Sequence, residues 1–417
     1  MRQMLAFLLG LFGFCDCIIA QQADTLTHWG ASVGMQKGQV LIVDDYQRKW
    51  QKGRDNFSVD AVLSHVTLPA DSDAFARDYG YPTIGMGLKM AFNHGVTMHK
   101  SASPEWGMAE EVDYDSRMGN SIVAYASFSR PLLRKKKWEI DYTFSTGIGY
   151  SKSVYDPHRA VDNELIGSHG LIFFGAGTHI MYRFAPEWGI RVGADFWHLS
   201  NGALSRPNKG ANILGPSAAL VYCPYYDDLV VSNPIKTKAQ FSPFLFLNFS
   251  LGIGAKSLNE EWLDTQFNTP KGHSDYRKAD FDLYMAYSLQ ADVMYRYARR
   301  WASGIGADVF YGTYSSKVEQ IDAKYQYQVR HSPWSVGLAL KHQVYYHRLA
   351  LAMSLGYYLF RRMGYNANLI EKPYYERIGL QYTLPVMGGI TLGFDVKAHL
   401  TKADLMEIVV AKPIVLK

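Results

Sequence analysis

FDLYMAYSLQADVMYRY, residues 281–297, decides the fold class. Phe281, Leu283, Met285, Tyr287, Leu289, Ala291, Val293, Tyr295 and Tyr297 fall on one parity, and all are apolar or aromatic. Asp282, Tyr284, Ala286, Ser288, Gln290, Asp292, Met294 and Arg296 fall on the other, which is mostly polar or small. A period of two is the signature of a β-strand whose faces meet different surroundings. The run is far longer than the usual globular strand of about 5 to 6 residues. It suits a strand that crosses a bilayer, which needs about 9 to 11 tilted residues. ITLGFDVKAHL, residues 390–400, repeats the pattern. In a lipid-embedded barrel the apolar parity meets acyl chains and the polar parity lines the lumen. Arg191, Asp195, Asp282, Lys397 and His399 are then lumen residues.

Working outward, roughly sixteen such runs follow one another from residue 28 to residue 412. Short polar turns join several of them, among them Arg134-Lys135-Lys136-Lys137, Ala185-Pro186-Glu187 and Arg299-Arg300. MYRFAPEWGIRVGAD at 181–195 echoes MYRYARRWASGIGAD at 294–308, either as a duplication or as two solutions to the same hairpin. The composition agrees with strands and turns: the chain of 417 residues has 29 Tyr, 21 Phe, 9 Trp and 36 Gly. With 48% hydrophobic and 19% charged residues it is not a disordered chain. A net charge of +5, with Lys and Arg spread out, offers no nucleic-acid footprint.

The start, MRQMLAFLLGLFGFCDCIIA, has one Arg, an apolar core and a small residue, Ala20, before Gln21, the pattern of a secretory signal peptide. Cleavage there leaves Cys223 as the one cysteine and excludes an intramolecular disulfide. No later stretch of about 18 apolar residues offers a transmembrane helix. An exported all-β chain of this kind is expected to be an antiparallel transmembrane β-barrel in the outer membrane of a Gram-negative bacterium, with 12–16 strands in total. Residues 21–225 form a first barrel region. Residues 226–417 add hairpins that complete a larger barrel or close a second one.

The chemistry concentrates in FWHLSNGALSRPNKGAN, residues 196–212. On the strand that precedes it, Ile190, Val192, Ala194, Phe196, His198 and Ser200 share the lipid-facing parity, and Arg191, Gly193, Asp195 and Trp197 share the other. His198 and Ser200 are therefore neighbours on the outer wall near a strand end. Two residues apart, they come within reach of a hydrogen bond, so His198 can take the Ser200 proton while the hydroxyl attacks an ester. A third group must orient the imidazole, and donors must meet the oxyanion. Gly202 permits a tight turn, and the Asn-rich return strand brings candidates back beside the pair. The bland alternative is a polar turn with an interfacial histidine.

H-L-S-N-G-A followed by P-N-K-G resembles the outer-membrane lipid A 3-O-deacylases, the PagL family, whose relatives are often called acyloxyacyl hydrolases. The flanks YGYPTIGMGL at 79–88, TGIGYSK at 146–152 and DNELIGSHG at 162–170 resemble the same family, over about residues 25–225. The resemblance implies His198 as base, Ser200 as nucleophile, and Asn208 with Asn201 as oxyanion or substrate contacts. The family pattern places a Glu fourteen residues after the His, where this chain has Asn212. Asn as third member is similar to the outer-membrane phospholipases A, which use calcium and dimerise. The triad thus reads His198, Ser200, Asn212.

These features give a first expectation of a serine ester hydrolase removing an acyl chain from lipid A of lipopolysaccharide. It is expected to need no cofactor and to carry no metal site. The second is a phospholipase A, for which calcium and an oligomer are expected. The third is a non-catalytic, porin-like barrel with a plugged or conducting lumen. Elsewhere GIGAKS at 252–257 lacks the spacing of a phosphate loop, His342 and His347 flank a hairpin turn, and Asp227-Asp228 read as a solvated turn.

Overall fold

The computed structural model describes residues 28–100, 116–231, 241–386, 388–400 and 402–416. The signal-peptide segment lies outside them. Two closed antiparallel barrels of eight strands each follow one another along the chain. In the first, β1 is Trp29–Val40, β2 Asp55–Val66, β3 Thr83–Gly95, β4 Ser121–Arg134, β5 Trp138–Ser151, β6 Gly170–Arg183, β7 Trp188–Ser200 and β8 Ala211–Tyr222. It closes through β1, which pairs with both β2 and β8. In the second, β9 is Phe244–Lys256, β10 Tyr284–Ala298, β11 Trp301–Gly312, β12 His331–Tyr346, β13 Leu349–Met363, β14 Tyr374–Thr383, β15 Thr391–His399 and β16 Lys402–Val415. It closes through β9, which pairs with both β10 and β16. The second half therefore forms its own barrel and does not widen the first. Every alternating run becomes a stave.

The parity holds along β10. On β10, Met285, Tyr287, Leu289, Val293, Tyr295 and Tyr297 are exposed, while Ala286, Ser288, Gln290, Asp292 and Met294 are buried. An apolar exterior of this kind is stable in acyl chains, and the buried polar set turns to the lumen. The strand begins at Tyr284, so Asp282 sits in the preceding loop, exposed, and is not a lumen residue. Arg191, Lys397 and His399 are lumen groups as expected, together with Asp195.

Eight strands leave an interior just wide enough for side chains, and both lumens are crossed by charge networks. In the first, His179 bridges Asp141 and Asp195 at 3.2 and 3.0 Å, and Arg191 Nε donates to Asp141 at 3.1 Å. A cavity of about 160 Å³ remains beside them. In the second, Lys341 sits between Asp308 and Asp292 at 2.7 and 3.3 Å, Arg377 pairs with Glu407, and Lys397 meets Asp404 at 2.6 Å. Buried charges are tolerable because they are paired. The described strands close as two barrels of eight and not as one of sixteen, so the wide lumen that the porin-like alternative invoked is not formed by them.

The echo joins unlike places. Residues 181–195 span the turn from β6 to β7, sixth and seventh in their barrel. Residues 294–308 span the turn from β10 to β11, second and third in theirs. A duplication of one whole barrel would have put the two hairpins at the same place in each. The basic run 134–137 does turn between β4 and β5. Asp227, read as a solvated turn residue, lies in a short helix, Tyr226–Val231, and pairs with Arg183 at 2.7 Å. Cys223 is a buried free thiol. Among the described residues no helix is long and apolar enough to cross a membrane.

Candidate active site

β7 carries the pair to the end of the first barrel that bears its longer loops. Along the strand Ile190, Val192 and Ala194 are exposed, and Trp197 and Leu199 are buried inward. Trp197 Nε1 donates to Gln36 Oε1 at 2.7 Å, which ties the strand to the lumen and fixes its rotation. No bulge interrupts the β7–β8 or β6–β7 ladders, so parity runs unbroken to Ser200. His198 and Ser200 therefore lie on the outer face. Across β8 the register sets Asn212 opposite His198, and across β6 it sets Phe174 opposite His198 and Ile172 opposite Ser200.

This register makes the third contact. His198 Nδ1 lies 2.8 Å from Asn212 Oδ1. An amide oxygen only accepts, so Nδ1 carries the proton and Nε2 is left as the basic nitrogen. The Ser200 hydroxyl oxygen accepts the Gly202 N–H at 3.4 Å. Among the described residues no hydrogen bond joins Ser200 to His198. Such bonds are often long in free enzymes and tighten with substrate.

The turn after Ser200 is built from its own side chains. Asn201 Nδ2 donates to the Ser205 carbonyl at 3.2 Å, and Asn208 Oδ1 accepts the Asn201 N–H at 3.1 Å. Gly202 has φ of 74° and Gly210 of 77°, both left-handed and suited to glycine. A Cβ on Gly210 would stand 2.4 Å from His198 Cε1, so the absent side chain is what admits the imidazole. The 162–170 segment carries this turn from below. The Glu164 and Leu165 carbonyls accept the Lys209 and Gly210 N–H groups at 3.0 and 2.9 Å, and Gly167 O accepts the Ser205 hydroxyl at 2.9 Å. Glu164 is itself buried in an ion pair with Lys100 and accepts the Tyr46 hydroxyl at 2.6 Å. Sequence reasoning missed Lys100 and Tyr46, because nothing local marks residues 46, 100 and 164 as neighbours. Lys209 pairs with Asp44, an N-cap whose side chain also accepts the Gln47 N–H. Burial would raise the Asp44 carboxyl, but Lys209 and that N–H outweigh it and hold it below its ordinary value.

Glu371, His399 and Asp404 converge within the second barrel, with one ligand-type atom each inside 4.8 Å. Lys256 and Lys397 already pair with Asp404, and Arg361 with Glu371. Three cations on two carboxylates make this an internal salt-bridge cluster.

The lipid A 3-O-deacylase (PagL) family matches residues 80–220, and the C-terminal domain of acyloxyacyl hydrolases matches residues 245–411. The chain belongs to the PagL family. It is an ester hydrolase acting on lipid A and a β-barrel protein of the outer membrane. No curated relative matches. Among solved structures, the outer membrane enzyme PagL is 13% identical over 46% of this chain and 98% of its own, with a TM-score of 0.27. An outer membrane channel from Pseudomonas putida F1 is 7% identical over 95% of this chain and all 100% of its own, at 0.20. The P. putida toluene transporter TodX is 10% identical over 95% and 91%, at 0.17. Scores this low add nothing to the topology already described.

Proposed function

We propose that Ser200 is the nucleophile of this PagL-family enzyme, with His198 as its base and Asn212 as the residue that orients the base. The observation that carries the reading is the His198–Asn212 bond on the outward face, beside a serine of the same parity. In this reading Ser200 Oγ attacks the ester carbonyl of an acyl chain on lipid A, at the 3-O linkage for which the family is named. His198 Nε2 accepts the hydroxyl proton and returns it to the departing sugar oxygen. Water, activated by the same nitrogen, then releases the fatty acid from Ser200. The Gly202 N–H and the amide end of Asn208 serve as donors to the oxyanion. Asn201 holds the turn that aims them. Placement near the long-loop end suits a substrate of the outer leaflet, because long loops of such barrels are extracellular. The chemistry asks for no metal.

Mass spectrometry of lipid A and phospholipids tests this in Gram-negative cells producing either the wild type or Ser200→Ala. Loss of one acyl mass from lipid A only with Ser200 intact supports the reading. Lysophospholipids with unchanged lipid A, dependent on added calcium, move the substrate to phospholipid. Equal deacylation by both proteins removes Ser200 from the chemistry.

A further inference from the structure

The nucleophile's turn does not face open lipid on all sides. The Ala203 carbonyl accepts both the N–H and the hydroxyl of Ser257, at 2.8 and 3.0 Å, and Arg206 Nε donates to the Ser257 carbonyl at 3.3 Å. Ser257 directly follows β9 of the second barrel. Tyr155, beside the site's supporting segment, donates to Gln266 of the same barrel at 3.1 Å. Closest of all is Met406 on β16. A Cβ on Gly202 would stand 1.7 Å from its sulfur, so the thioether fills the space that the glycine leaves. Gly202 is also the residue whose N–H reaches Ser200. Ser200 retains only 7% of its exposure although it sits on an outer wall.

These contacts restrict where an acyl chain can go. On one side of Ser200 the His198 ring fills the space, packed on Gly210 and bonded to Asn212. Across the ladder Ser200 is paired with Ile172 of β6, and two residues on, at Gly202, stands Met406 of the second barrel. Below Met406 the same parity of β16 presents Ile408 and Val410, 52% and 44% exposed, an apolar rail leading toward the bilayer centre. We infer that the second barrel is part of the active site, and that Met406 forms one wall of the subsite for the acyl chain removed at Ser200 and selects its length. The inference rests on the Ser200 reading. It gives the second barrel a role in specificity: an unbranched thioether adapts to a chain, and its size sets how far the chain can enter beside Gly202.

The test uses the purified full-length protein in detergent micelles with lipid A of mixed acyl lengths. Released fatty acids are measured for the wild type, Met406→Ala, Met406→Leu, Met406→Trp and Ser200→Ala. Leu359→Ala controls for lost apolar surface, since Leu359 is exposed on β13 of the same barrel. Heat-modifiable migration identifies the variants that retain folded barrels, and near-isosteric Met406→Leu keeps the test open should the others misfold. The expected result is a shift of roughly tenfold or more in the ratio of long to short acids for Met406→Ala and Met406→Trp, in opposite directions. A smaller shift in Met406→Leu and none in Leu359→Ala complete the expectation. Unchanged ratios in folded Met406 variants, with wild type active and Ser200→Ala inactive, overturn the inference alone, whether or not the overall rate falls. No acid released by the wild type, or equal release by Ser200→Ala, overturns the Ser200 reading and the inference together.

Discussion

His198 Nδ1 and Asn212 Oδ1 stand 2.8 Å apart across the β7–β8 ladder, at directly paired register positions. A neutral amide does what geometry requires of a third member, fixing ring plane and tautomer. In the proposed mechanism it adds no charge to steady the imidazolium that would form as Ser200 loses its proton. Asn212→Ala should therefore lower kcat by roughly 10²-fold or more with a small change in KM, as for removal of an interaction made mainly in the transition state. Fatty-acid release against substrate concentration separates the two constants. A rise in KM alone would assign Asn212 to binding.

Ser200→Ala and His198→Ala should each abolish release to within the residual of binding and oxyanion contacts, a loss on the order of 10⁴-fold or more. The double variant should be no worse than either single one, because the two act as a unit. Multiplying losses would mean that they act separately.

Gly210→Ala places a methyl 2.4 Å from His198 Cε1 on a backbone with φ of 77°. The ring must move, and the alanine is strained by about 1 kcal/mol even before the clash. Activity should fall at least tenfold while the barrel still shows heat-modifiable migration. Unchanged activity would mean that the ring position is not needed.

Asp44→Asn tests the anchor of the 201–210 turn. The Asp44 carboxyl titrates below its ordinary value of 3.8 because Lys209 and the Gln47 N–H outweigh burial. A lowered folded value means that the pair stabilises fully above 3.8, and that this stability is lost as pH falls through the lowered value. Hydrogen exchange at the Lys209 and Gly210 amides should accelerate relative to the intrinsic rate below about pH 4 in the wild type. In Asp44→Asn, which keeps a side chain able to cap the following helix, that step should vanish. A step that persists in the variant would assign it to another group.

Asp141→Asn breaks a lumen network level with Gly193, roughly 23 Å along the strands from Ser200. Asp141 is 2% exposed and bonded to both His179 and Arg191. Removing the carboxylate leaves the half-buried Arg191 guanidinium poorly compensated inside the lumen, at a cost of about 3 kcal/mol. The urea midpoint should drop while activity in native conditions stays near wild type. An unchanged midpoint would show that water or Asp195 replaces the lost charge.

Alternation along single strands was enough to mark every stave of both barrels, because a period of two states which face meets lipid without any long-range information. It placed His198 and Ser200 on the outer wall for the same reason. It erred at Asp282, where the alternation continues into a loop that makes no ladder bonds. A strand end is set by pairing, and pairing is not local.

The amino-acid order alone determined an exterior that suits acyl chains, a charged interior, and one outward His-x-Ser at a strand end followed by an Asn-rich return. These are properties of residue spacing within ten or fifteen positions. Only the tertiary structure decided that strand β9 closes on β16 instead of widening the first barrel, since closure joins residues more than 150 positions apart. The register of β7 on β8 turned Asn212 from a candidate into a bonded neighbour of His198. The packing of one barrel on the other brought Met406 against Gly202, a residue two positions from Ser200 and 204 positions from Met406. Contacts of that range are fixed by barrel closure and docking, which no local pattern encodes.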